Sequence, residues 1–179
     1  MDFRAQGRDW SKTALVILLA VASGVFLFRQ WRVAAQTGEA GASVWFYDQG
    51  EKRLYALPAD TIPPHKGVGG AAGDGVRAIV VAFRAEQANP AKRRIAYLET
   101  YSPELAQLLQ RVQAARAAHR PYAGPIPSRD SDFFQTNTLV RGPDDPTWQA
   151  ANTREAQRIM AEWRSWRGPD YQPLVVCVP

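Results

Sequence analysis

From Thr13 to Phe28 the chain reads TALVILLAVASGVFLF, a run without charge bracketed by Lys12 and Arg29. As a helix rising about 1.5 Å per residue, the stretch from Trp10 to Trp31 would be about 31 Å long, close to the hydrocarbon thickness of a bilayer. Tryptophan belongs at the lipid–water boundary, and Arg29 can carry its charge outward along its own aliphatic stem. The pattern predicts an N-terminal tail over 1–12, a membrane-spanning anchor over 13–31, a tether over 32–43 and one soluble domain over 44–179. A cleaved signal peptide would share the basic start and the apolar run. The small-residue triplet Ala20-Val21-Ala22 falls in mid-run, however, with Val25 to Phe28 still to come, so an uncleaved signal-anchor is expected. Ala20 and Gly24 form a small-xxx-small pair, a route to self-association through the anchor. Arg4, Arg8 and Lys12 before the run outnumber Arg29 and Arg32 after it, which places the N-terminus inside and the domain outside. A reporter enzyme fused after Pro179 should be inactive in the cytoplasm; activity only there would reverse the orientation.

Beyond the small polar stretch QTGEAGAS, the hydrophobic pattern changes period. Val44 to Asp48 and Leu54 to Leu57 are β-prone runs around Gln49-Gly50, a hairpin signal. Trp45, Phe46 and Tyr47 must point to alternate faces, one of them core and the other covered or open as a contact surface. PADTIPP, residues 58–64, cannot join a ladder or a helix, and Gly67 to Gly75, GVGGAAGDG, reads as a mobile loop. It lacks the Lys and Ser/Thr of a phosphate-binding P-loop and is followed by a strand. Val76 to Phe83 holds the apolar run of a central strand, and Arg94 to Tyr101 returns beside it, antiparallel. Ser102-Pro103-Glu104 starts a helix whose apolar positions Leu105, Leu108, Leu109, Val112 and Ala115 recur at helical spacing, to end near His119. Phe133 to Arg141 reads as a further strand. Trp148 is expected to plug the core beside a helix capped by Asn152, with Glu155 in its first turn, stopped by Gly168-Pro169. Leu174 to Val178 closes the sheet and buries Cys177.

Charge and chemistry change this picture little. Of 22 basic and 17 acidic residues, residues 1–35 carry five and two, so the domain is left near +2 and a nucleic-acid partner is not expected. One cysteine excludes an internal disulfide. With only His65 and His119, no HExxH and no G-x-S-x-G, no catalytic, cofactor or metal site is predicted. Asp130 and Asp132 lack the further ligands of a calcium loop. Glu99 is the best isolated acidic candidate, read as a solvent-facing strand residue.

The order WFYD, LYALPADTIPP, GVRA, RRIAYLETYSPE, DDPTWQAAN, spanning residues 44 to 166, resembles a group of uncharacterised bacterial proteins with one N-terminal membrane helix and a small extracytoplasmic α+β domain. That group has no assigned activity, so the resemblance implies the anchored architecture alone. The reading is an α+β fold: an N-terminal transmembrane helix, then a mostly antiparallel sheet of four to six strands with two packed helices. The expected function is a noncatalytic envelope component that binds a protein partner through surface residues such as Trp45. The alternative is a ligand-binding module or weak hydrolase of an envelope component, using His65, Asp74 and Tyr47 beneath the 64–75 loop. Lys92, Arg93 and Arg94, with Arg154 and Arg158, are candidates for contact with an anionic surface.

Overall fold

The computed structural model describes residues 42–167 and 172–179. The membrane anchor expected over Thr13 to Phe28, its small-residue pair and the Gly168-Pro169 stop lie outside the described residues. Among those described, no helix is long and apolar enough to cross a membrane.

The fold is α+β with an antiparallel sheet. Strands β1 (Ser43–Asp48), β2 (Arg53–Pro58), β3 (Gly75–Phe83), β4 (Arg94–Tyr101), β5 (Thr138–Arg141) and β6 (Gln149–Ala150) lie in the order β2-β1-β3-β4-β5-β6. β7 (Leu174–Val176) pairs with β3 as well. It takes the half of the β3 edge, Val81 to Phe83, that β1 leaves open after pairing with Gly75 to Arg77. Cys177 follows, donating its amide to the Val80 carbonyl at 2.8 Å and burying its side chain. Burial pushes the Cys177 thiol up, away from the thiolate.

Three helices accompany the sheet among the described residues: α1 (Pro103–Ala117), α2 (Asp132–Asn137) and α3 (Arg154–Glu162). Helix α1 starts where the sequence says, the Ser102 hydroxyl accepting from the Leu105 amide. It ends at Ala117, and the chain leaves through a left-handed residue, His119, with φ of 51°. The Arg120 amide then reaches back to the Ala115 carbonyl at 2.9 Å and that of His119 to the Arg116 carbonyl at 2.9 Å, so helix-end geometry accounts for His119. Glycine adopts that backbone without the side-chain cost. His119→Gly is therefore expected to stabilise the protein by about 1 kcal/mol, read as a higher denaturation midpoint.

Two sequence expectations are corrected by capping chemistry. Residues 133–137 are helical instead of extended, because Ser131 accepts from the Phe134 amide and Asp132 follows in the first turn; only Thr138 to Arg141 is strand. The next helix is capped by Thr153, which accepts from the Ala156 amide at 3.2 Å. Asn152 spends its side-chain amide on Thr136 Oγ1 at 2.8 Å and Asp132 Oδ1 at 3.3 Å.

The sheet has two unlike faces. On one, Val76, Ala78, Val80, Ala82, Leu98 and Cys177 form a core partly roofed by Trp45, Tyr47, Leu54, Ile95 and Trp148. Trp148 thus packs away from α3 and not beside it. A bulge sets this up: Ile79 pairs with Tyr97 but Val80 with Ile95, leaving Ala96 as the extra residue and turning Ile95 to the opposite face from Tyr97. The other face takes the helices. Val140 and Tyr97 pack with Ala156, Ile159 and Met160 of α3, while Tyr101 packs with Leu105 and Ala106 of α1 and Phe134 of α2.

Candidate functional site

Tyr97, Glu99 and Tyr101 alternate along β4 and so share the helix-bearing face. Tyr97 lies under α3 and Tyr101 under α1 and α2, which leaves Glu99 on the floor of the gap between the two helical patches. The register sets Arg77 of β3 directly across from it and Val140 of β5 on its other side. Glu99 is therefore not a solvent-facing strand residue: its side chain is 19 % exposed and that of Arg77 17 %.

The bonding in this gap is incomplete. Arg77 Nη1 stands 3.8 Å from Glu99 Oε1, too far for a hydrogen bond. The Glu99 carboxylate accepts no hydrogen bond from any described residue. Arg77 gives Nη2 to the Ala59 carbonyl at 3.0 Å, but its Nε is buried without a partner among the described residues. Burial therefore dominates and pushes the Glu99 carboxyl up from its ordinary value, against the pull of Arg77 and of Arg129 from the loop after α1. Tyr97 and Tyr101 are raised too, first by burial and then by the Glu99 charge.

A carboxyl whose folded value is raised binds more protons folded than unfolded between its ordinary value of 4.5 and the raised one, so stability falls as pH rises through that window and stays lower above it. Glu99→Gln removes the charge and keeps the shape. Thermal melts of the full chain in detergent should show the variant more stable at pH 7, with the gain shrinking toward pH 4; a variant less stable at pH 7 would contradict the assignment.

A second carboxylate, Asp48, is organised in the opposite way. It is 1 % exposed. Its Oδ1 accepts from the Gly50 amide at 3.0 Å and the Glu51 amide at 2.9 Å, and its Oδ2 from the Gly69 amide at 3.0 Å. The Glu51 and Gly69 amides, against the cost of burial, hold its carboxyl below the ordinary range. The glycine-rich stretch is thus tied to Asp48 through Gly69 and pinned at its ends, while Val68 to Gly73 remain exposed. His65 and Gly75 exchange both backbone hydrogen bonds, at 2.7 and 2.9 Å, to close it. A Cβ on Gly67 would overlap Asp48 Oδ2, and one on Gly75 would overlap the Tyr55 hydroxyl. The sequence offered a signal here, since Asp48-Gln49-Gly50 is an aspartate two residues before a turn glycine.

The residues singled out from sequence fall into separate places. His65 is exposed, its Nδ1 3.1 Å from the Lys66 carbonyl and its ring edge-on to Phe46 at 6.4 Å. Asp74 is half-buried at the same loop and accepts through its backbone carbonyl from the Gln49 amide at 3.0 Å. Tyr47 points to the other side of β1 from Phe46 and packs into the core roof, so it does not meet His65. Trp45 does meet Arg93, whose guanidinium lies 5.4 Å from the centre of its ring. Lys92 pairs with Glu86 at 3.7 Å, and Arg158 with Glu155 at 2.6 Å and Glu162 at 3.1 Å, so these charges are largely spent within the fold. Arg94 is exposed at the start of β4. Among the described residues no three His, Cys, Asp or Glu side chains gather to hold a metal ion.

Compared with family models, with curated proteins and with solved structures, the chain finds no match.

Proposed function

We propose that this chain is a noncatalytic recognition module of the cell envelope, tethered by Thr13 to Phe28, whose Arg77–Glu99 floor receives a protein partner. The carrying observation is the unspent hydrogen-bonding capacity of that pair. A half-buried carboxylate without a donor is costly within one chain, and a partner offering a donor would satisfy it. Two exposed apolar side chains belong to the same region of sequence: Phe133, 44 % exposed, is the neighbour of the Phe134 that packs on Tyr101, and Ile126, 53 % exposed, precedes Arg129 in its loop. Exposed apolar side chains suit a protein interface better than a small-molecule reaction site.

A ligand-binding module or weak hydrolase is the alternative, favoured by the upward shift of the Glu99 carboxyl, the direction a general acid needs. Glycoside hydrolysis takes a second carboxyl group about 5–9.5 Å away. The charged groups acting on Glu99 are both arginines, and binding is therefore preferred. A photoreactive residue placed at Phe133 of the full chain in cells tests the reading. Discrete adducts with a single protein, lost in the Arg77→Ala, Glu99→Gln double variant, are expected. Adducts unchanged by the double variant, or none above background, would refute it.

A further inference from the structure

On the helix-bearing face of the sheet, one row of register partners runs Phe46, Arg77, Glu99, Val140. Phe46 and Val140 are fully buried, so the Arg77–Glu99 pair is a polar step between two apolar ones. Both strands of the pair are interior, β3 lying between β1 and β4 and β4 between β3 and β5. The two side chains do not use each other up: Arg77 Nη1 and Glu99 Oε1 are 3.8 Å apart, beyond hydrogen-bond reach. Of the guanidinium, Nη2 is committed to the Ala59 carbonyl at 3.0 Å and Nε is enclosed. Nη1 and the Glu99 oxygens are not among the enclosed atoms, and none of them takes part in a hydrogen bond with a described residue. One donor and one acceptor therefore stand side by side at the surface of the floor, on a pair without net charge.

The charge of a complementary group follows from this. A cation would meet Glu99 but also Arg77, with Arg129 acting on the same place. A carboxylate would meet Arg77 and be repelled by Glu99. A primary carboxamide avoids both costs, because its oxygen and its NH2 group project side by side from one carbon and it carries no charge. The same group reads the neighbouring donor and acceptor of adenine in the DNA major groove. We propose that the residue a partner protein places on this floor is an asparagine or glutamine, its NH2 donating to the Glu99 carboxylate and its oxygen accepting from Arg77 Nη1. This partner chemistry rests on the recognition reading of the floor. Between apolar neighbours both bonds are strengthened by the low local dielectric, and a side chain that supplies only half of the pattern leaves a charged group unsatisfied.

Dodecapeptides displayed on phage and selected at pH 7 on the full chain, held in an uncharged maltoside micelle, provide the test. Affinities of the selected peptides are then measured for the parent, Arg77→Met and Glu99→Met chains. Methionine is long and unbranched and suits an apolar row, and thermal melts verify that each variant is folded. Peptides that dock on the floor are expected to need one Asn or Gln. Exchanging it for Leu or Met should weaken binding to the parent by about tenfold or more, since two hydrogen bonds to charged groups are lost. Each protein variant should weaken the unaltered peptide as well, because the carboxamide needs both halves of the pair. Peptides anchored by Lys or Arg, which would fail with Glu99→Met alone, or by Asp or Glu, which would fail with Arg77→Met alone, would overturn the proposal while leaving the recognition reading in place. So would floor-dependent peptides in which no polar side chain matters. A selection that yields no peptide, or only peptides that bind all three chains alike, would remove the floor as a docking place and the recognition reading with it. The peptide exchanges leave the protein untouched, so they decide the question where a variant melts early.

Discussion

Replacing Asp48 by alanine should release the 64–75 loop and lower the thermal midpoint by roughly 10 °C, because the Gly50, Glu51 and Gly69 amides lose one charged acceptor together. The loss spreads beyond the turn. Asp48 is the last residue of β1 and the register partner of Gly75, so it joins the β1–β2 hairpin to the strand at the sheet's centre. Trypsin provides a local reading: the Lys66–Gly67 bond is held between the His65–Gly75 bridge and the Gly67-to-Ala71 hydrogen bond, and it should be cut much faster in Asp48→Ala than in the parent. Asp48→Asn keeps one oxygen acceptor and should fall between the two. Proton uptake acts in the same direction. Since the folded carboxyl lies below its ordinary value of 3.8, its stabilisation is complete above that value and is lost as pH falls through the lower one. Protection of the Gly69 amide from hydrogen exchange should disappear over that acid range. Equal trypsin rates in parent and Asp48→Ala chains would show that the loop is held by something else.

Ending the chain at Pro173 should be more damaging still. β7 supplies the edge partners of Val81 to Phe83, and Cys177, 3 % exposed, fills the core against Val80 and Ala82. Removing it uncovers four consecutive buried residues, Val80 to Phe83, along an unpaired edge. Lost burial of about two side chains costs roughly 3–6 kcal/mol, a large share of the stability of a domain this size. The truncated chain is expected to be degraded in cells and to show no cooperative melt when purified. A protease-resistant product with the parent's melting temperature would mean that the sheet does not need β7.

What could be read from the sequence was whatever is written in neighbouring residues. Ser102-Pro103 announces a helix start, the runs on either side of Gln49-Gly50 announce a hairpin, and LVVCV announces an apolar strand; each depends on local chemistry and each is found, the last one shorter than expected. Phe133 to Arg141 misled because its aromatic and β-branched residues favour a strand, while the signal that decides the first five, the Ser131 cap, sits just upstream in an apparent loop. Glu99 was visible as a residue but not as a site. Its burial depends on Arg77, on α1 just downstream together with α2 and α3 far along the chain, and on the Ala96 bulge, which gives the face to Tyr97 and withholds it from Ile95.

Partner binding at this floor requires the Glu99 carboxylate to be desolvated and unsatisfied between α1 and α3. A carbon-detected NMR titration of the full chain, labelled at the glutamate side-chain carboxyl carbons and assigned with Glu99→Gln, measures this directly. The Glu99 inflection should lie above 4.5, the ordinary glutamate value, and should fall when Tyr101→Ala opens the floor to water. An inflection at or below 4.5 in the parent chain would mean that the carboxylate is already well solvated or well paired, and would leave the floor with nothing to offer a partner.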